Sequence, residues 1–447
     1  MATTIASCTL ALVASLYVAR RFWNGMLFNP LTGLFAPWLL ALGLFTLNSR
    51  LALFDVGLTE PATLLLAVSF ACYFIGGVLG IWLATRHDSG VYSYHIAEPR
   101  LTMLAILTLL YAVAFLVGVA WKYATVNATF GLPLEHIARL KPLIVSHSIL
   151  IPLPSRFLTL FGYVAVLNVG VLLMYSQNRR WIGLAVALVL LSLVNDAVQG
   201  ARGSTINTVI LLICAAVFSA GARTGRIGLK HVLGAGAVFV VGLALITLII
   251  YLRGNAIAGY LQRFVVDNYV YLVGTIPATS FFAIHPWPHV LPGQWTFAGL
   301  YQLLGMIPPL REPLAPLNSA VFPSFYAPVT SIGPFNSSAY VTYFDSDSGL
   351  AGVAVLSGLL GLAATYAFTK AVTVGRVVDL QIAALLMFLV LLTLRGTVTS
   401  SIMFWVVLGL IVVQWNFLVR TPRHGVPSVT RRGHCTRASF GLPGRQP

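Results

Sequence analysis

The sequence predicts an all-α, polytopic membrane protein, and three observations predict it. The chain is 58% hydrophobic with only 9% charged residues and a mean hydropathy of +0.89, whereas soluble domains carry about a quarter charged residues. Apolar runs near the ~20 residues that cross a bilayer recur along the chain. The basic residues alternate in density between successive connections. A span in lipid must satisfy its own backbone, so these runs read as helices.

Taken in order, eleven spans are expected, at about 3–19, 31–47, 62–84, 101–121, 157–175, 181–198, 204–221, 231–252, 348–368, 380–395 and 401–418. The first lacks a basic segment before its apolar run, so it reads as a retained span and not as a cleaved signal. Connections 20–30, 85–100, 176–180, 222–230, 369–379 and the tail from 419 hold 17 of the 27 Lys and Arg residues. Most of these connections are short, so the positive-inside rule puts them in the cytoplasm. The N-terminus is then outside and the C-terminus inside. Residues 1–419 read as one transmembrane bundle, and 420–447 as a basic cytoplasmic tail resting on anionic headgroups or disordered. The net charge of +16 is spread by membrane side and not gathered in one soluble domain, which excludes a nucleic-acid partner. The cysteines, Cys8, Cys72, Cys214 and Cys435, show no CxxC spacing and read as small apolar residues.

The outside set includes two long connections. The first, 122–156, carries Lys122, Arg139, Lys141 and Arg156 against only Glu135. That excess violates the sidedness trend and suggests anion handling, or an ordinary attraction for anionic lipids. The second, 253–347, exceeds ordinary loop lengths and should be functional or contain helices. It has eleven prolines between Pro277 and Pro334, and its segment 260–283 reads as an interfacial amphipathic helix.

Charge is rare enough here that the stretch QGARGST, residues 199–205, stands out. Gly203 allows close backbone approach. Ser204 is suited to cap the helix that follows. Free N–H groups at that helix start, the Arg202 guanidinium and the hydroxyls of Ser204 and Thr205 would together bind an anion. The same arrangement recurs at Arg253-Gly254 and Arg395-Gly396, with Arg263 ten residues beyond Arg253. Several arginines could thus ring one pocket at the outer surface. The competing reading is that such arginines snorkel to the headgroups, or that Asp196 and Arg202 form a structural ion pair.

Two stretches resemble the Wzy-type polymerases of bacterial surface polysaccharides. QGARGSTINTVI resembles that family's Gly-Arg-Gly corner opening an apolar helix. The segment from Asn336 to Phe368 is similar to its Asn, Tyr, Asp-x-Gly-x-x-Gly pattern leading into a late span, matched by Asn336, Tyr343, Asp347, Gly349 and Gly352. Here DSDSG stands where an aromatic often separates Asp from Gly. The layout, about eleven spans with one large external loop, is also similar.

The resemblance implies a membrane-embedded glycosyltransferase acting on the periplasmic face of the bacterial inner membrane. It would polymerise undecaprenyl-diphosphate-linked oligosaccharide units, beside a chain-length regulator of the Wzz type, with membrane lipids around it and without a metal or other cofactor. Arg202, Arg253 and Arg263 would stabilise charge on the departing diphosphate. Asp347 or His289 is a candidate general base, with His285, Asp345, Glu135 and His136 as further options. Gly203, Ser204, Thr205, Arg395, Arg139, Asn336, Tyr343 and Trp287 would bind substrate, the tryptophan by stacking on a sugar or, alternatively, by marking the membrane interface. A flippase for the same lipid and an O-antigen ligase are the competing functions. Charge-free span centres, with polar residues gathered at outer ends, favour surface chemistry over passage.

Overall fold

The computed structural model describes residues 1–86, 98–130, 151–176, 178–199, 203–227, 233–234, 236–237, 269–270, 272–287, 293–314, 339–396, 399 and 401–420. It is an all-helical bundle. The main helices are α1 (Ala2–Phe22), α2 (Pro30–Phe45), α3 (Glu60–Arg86), α4 (Glu98–Phe130), α5 (Leu153–Tyr175), α6 (Arg180–Gln199), α7 (Gly203–Thr224), α8 (Thr275–Ile284), α9 (Ala298–Leu304), α10 (Tyr340–Val374), α11 (Val377–Leu391) and α12 (Ile402–Arg420). Among the described residues, eight helices are long and apolar enough to cross a membrane: α1, α3, α4, α5, α6, α7, α10 and α11 with its 3-10 extension. The protein is a multi-pass membrane protein. Of the eleven expected spans, 31–47 and 401–418 fall on the shorter apolar helices α2 and α12. The expected span 231–252 lies almost wholly outside the described residues, as does the tail beyond Arg420.

Two connections differ from expectation. Helix α4 continues to Phe130, so Lys122 belongs to a helix and not to a loop. The hydropathy drop at Trp121-Lys122 marks a polar helical turn, not an end. The segment 260–283, expected to lie along the interface, is described only in part; its last stretch, helix α8, is buried around most of its circumference, including Ile276, Thr279, Ser280 and Phe282. The Ser280 hydroxyl receives the Thr59 N–H at 3.1 Å, and nearby the Tyr269 hydroxyl donates to Leu44 O at 3.1 Å.

The tightest seam joins α3 to α10 through small residues, as expected where lipid supplies no hydrophobic drive and helices gain by close contact. A Cβ on Gly76 would overlap the Gly358 carbonyl, and one on Gly361 the Tyr73 carbonyl. The Thr365 hydroxyl, 2.8 Å from Gly77 O, crosses the same seam. A second polar lock joins α5, α11 and α12, where the buried amides of Asn168, Gln381 and Gln414 bond to one another.

Helix α10 is not continuous. Ser348 and Gly349 leave helical geometry, with Gly349 at φ +61°, where glycine is at ease. The chain reverses there. A Cβ on Gly352 would stand 2.8 Å from Phe344 O, although residues eight apart in a straight helix are separated by ~12 Å along the axis. The Ser69 hydroxyl bonds both Tyr340 and Ser357; a straight helix would hold those two ~25 Å apart. Residues 340–347 therefore form a short helix folded back along the first turns of the long arm 350–374.

Candidate functional site

Two polar hubs sit at one end of the bundle. The opposite end is defined by the termini of α1, α7 and α10: Trp23 Nε1 meets Thr369 Oγ1 at 3.2 Å, and the Phe218 and Phe368 rings lie 4.9 Å apart. The hubs lie where α4, α6 and α11 end and where α5, α7 and the long arm of α10 begin.

The first hub is built on Asp347, at the reversal of α10. Its carboxylate is 2% exposed. One oxygen receives the Trp295 N–H at 2.8 Å and the other the Thr296 N–H at 2.7 Å. A carboxylate holding two backbone donors fixes the loop that leads into α9. Ser346 Oγ receives the Trp287 N–H at 3.2 Å. The Trp287 ring makes edge contacts with Phe282 (5.0 Å), Trp295 (5.6 Å) and Tyr343 (5.0 Å). At 4% exposure it belongs to a packed aromatic cluster and presents no open face to a sugar. Gly396, at φ +127°, lies against Tyr343; a Cβ there would stand 3.2 Å from the phenol oxygen. The backbone of Arg395, the end of the 3-10 segment Leu392–Arg395, is thus brought beside Tyr343. Thr399 Oγ1 donates to Thr296 O at 2.7 Å and closes the corner onto the same loop. The buried hydroxyls of Thr296 and Thr342 have no hydrogen-bond partner among the described residues.

The second hub surrounds the start of α7. Asp196, 1% exposed and near the end of α6, receives the Ser204 N–H at 3.0 Å and the Thr205 N–H at 2.8 Å. This corrects two expectations. Ser204 is not the cap of α7, because the preceding helix supplies the cap across the corner. The two N–H groups expected to face an anion are instead spent on Asp196. Gly203 opens α7, and among the described residues no atom lies within 4 Å of an added Cβ there. The Thr205 hydroxyl is buried without a partner among the described residues. Next to this corner, Lys122 of α4, 3% exposed, donates to Thr159 Oγ1 at 2.9 Å and to Asn195 Oδ1 at 3.2 Å.

The sequence names Tyr343 and Asp347 in one motif and Trp287 and the Arg395 corner apart from it, and all of them meet in one hub. Gly203, Ser204 and Thr205 meet in the other. Arg202, Arg253, Arg263, His289, Arg139 and Asn336 lie outside the described residues. His285 is described: it is exposed and stacks on Phe281 at 4.7 Å. Asp345 is half-buried on the folded-back segment. Missed in the sequence were the capping role of Asp196, the burial of Lys122 and the Asp347–loop clamp. Among the described residues no cluster of His, Cys, Asp or Glu is arranged to hold a metal. A scan against family models finds no match, and searches of curated proteins and of solved structures find none either.

Proposed function

We propose that the protein is a glycosyltransferase that polymerises polyprenyl-diphosphate-linked oligosaccharide units on the periplasmic face of the bacterial inner membrane. The observation that carries the proposal is that Gly203 and Gly396, each preceded by an arginine in the sequence, lie at one end of the bundle. Each is held by a built hub: Asp196 on α7 for the first, and the Tyr343 and Asp347 cluster for the second. Arginine at such a corner suits a diphosphate, since its planar fork binds two oxygens and its charge does not titrate. The basic residues of the alternate connections assign this end to the outside.

In the reaction, the sugar–diphosphate bond of the donor lipid breaks and the sugar carbon bonds to a hydroxyl of the acceptor unit. The hydroxyl proton passes to a base, and the lipid diphosphate leaves with the bond's electron pair. Arg202, Arg253, Arg263 and Arg395 are the proposed stabilisers of that leaving charge. Asp347 has both oxygens committed to backbone donors, which suits a clamp better than a base. Half-buried Asp345 and exposed His285 are then the described candidates for proton acceptance, beside His289. Trp287 forms the packed floor beneath Tyr343 and the 395–396 corner.

Reconstitution tests the proposal. The purified protein is placed in liposomes with lipid-linked repeat units extracted from cells lacking it. Elongated lipid-linked glycan with release of undecaprenyl diphosphate supports it. Transfer of glycan only to a lipid A core would favour a ligase, and transbilayer movement without elongation a flippase.

A further inference from the structure

Lys122 is an unusual side chain for this bundle. Its ammonium is almost fully buried at the junction of α4, α5 and α6, and its two partners, Thr159 and Asn195, are neutral. The Asn195 oxygen is shared with Gln199 Nε2 at 2.7 Å. Among the described residues the acid within electrostatic range is Asp196, whose two oxygens accept the Ser204 and Thr205 N–H groups, and Lys122 forms no salt bridge with any described residue. Exposed Arg156, on the same turn of α5 as Thr159, also lies within electrostatic range and adds like charge. An ammonium carries three donors, and only two are used. Buried charges are normally paired, because desolvation without a counter-charge is expensive. A methionine would fill the same space without that cost. Among the described residues two cations stand beside one carboxylate, which leaves an excess of positive charge and an unspent donor on Lys122.

We propose that Lys122 and Arg156 form a phosphate-binding site for the diphosphate headgroup of a lipid-linked substrate, next to the Gly203 corner. Lys122 supplies a buried point charge and Arg156 an exposed planar fork. The choice of a diphosphate among anions rests on the polymerase reading; the excess of positive charge does not.

The test is binding to the full-length protein in phosphatidylcholine nanodiscs, with inorganic pyrophosphate and farnesyl diphosphate as probes. Thermal melting is recorded with and without probe. Both probes should raise the melting temperature of the wild type. Lys122→Met should weaken farnesyl diphosphate binding at least about tenfold, as expected for loss of a charge-assisted contact. Lys122→Arg should bind within about threefold of wild type, and Arg156→Ala should fall between the two. Without probe, Lys122→Met should melt no lower than wild type, since an apolar replacement for an unpaired buried charge is neutral or stabilising. A purely structural lysine predicts the reverse: a lower melting temperature and unchanged binding. Unchanged affinity in Lys122→Met, or no binding of either probe to the wild type, overturns the proposal. If nanodiscs containing phosphatidylglycerol abolish farnesyl diphosphate binding, the site takes ordinary phospholipid headgroups and the diphosphate assignment fails. No glycan is present in the assay, so failure to elongate and failure to bind are separate results.

Discussion

Replacing Asp347 with alanine should destabilise the fold itself, beyond any effect on activity. The carboxylate receives the N–H groups of Trp295 and Thr296 at 2.8 and 2.7 Å, and both residues are buried. Alanine leaves two buried donors without these acceptors. Each stranded donor costs about 1–3 kcal/mol, so the pair costs roughly 2–6 kcal/mol. Asn keeps one acceptor oxygen and turns an NH2 toward the other donor, so Asp347→Asn should lose about half as much. The assay is unfolding by sodium dodecyl sulfate in dodecyl maltoside micelles, followed by far-ultraviolet circular dichroism and tryptophan fluorescence. The fluorescence should change first, because Trp287 and Trp295 sit on the clamped loop. An Asp347→Ala protein within about 0.5 kcal/mol of wild type, the range of a neutral surface substitution, would refute the clamp. If that stable protein were also inactive, Asp347 would return as the base.

Three other perturbations have definite outcomes. Gly361→Ala should lower stability markedly in the same titration, because its Cβ overlaps the Tyr73 carbonyl, while Gly358→Ala, whose nearest neighbour across the seam is Cys72 O at 3.6 Å, should be mild. Gly349→Ala forces a side chain into φ +61°, ψ −160°, a region open essentially to glycine alone, and should cost about 1–3 kcal/mol, with Gly349→Asn no cheaper; unchanged stability in Gly349→Ala would contradict the reversal. Asp196→Ala should free the start of α7, so that a cysteine at position 203 reacts faster with a membrane-impermeant maleimide than it does with Asp196 intact.

The apolar runs made the bundle legible, because span length and backbone satisfaction in lipid leave few alternatives. The Asp347, Gly349 and Gly352 pattern was visible as spacing, and Gly349 does mark a break. Its meaning was not visible. That the chain folds back depends on Ser69 of α3 meeting both Tyr340 and Ser357, a contact no local rule supplies. The α7 cap differs from the sequence expectation for a similar reason. Capping rules look at adjacent residues, and Ser204 fits them, whereas Asp196 reaches across the corner from another helix. The sequence places Lys122 in the connection 122–156, whereas Thr159 and Asn195 from two other helices make it an interior residue.

Elongation of a lipid-linked glycan at an outer-face arginine corner is the activity proposed for this chain. The most direct measurement is deletion of its gene, complementation with wild type or Arg202→Ala, and separation of the cell-surface polysaccharide on a gel. The account predicts that long chains vanish, that a single capped repeat unit remains, and that wild type restores the ladder while Arg202→Ala at equal expression does not. An unchanged ladder in the deletion strain would contradict it and return the arginine corners to the role of membrane anchors.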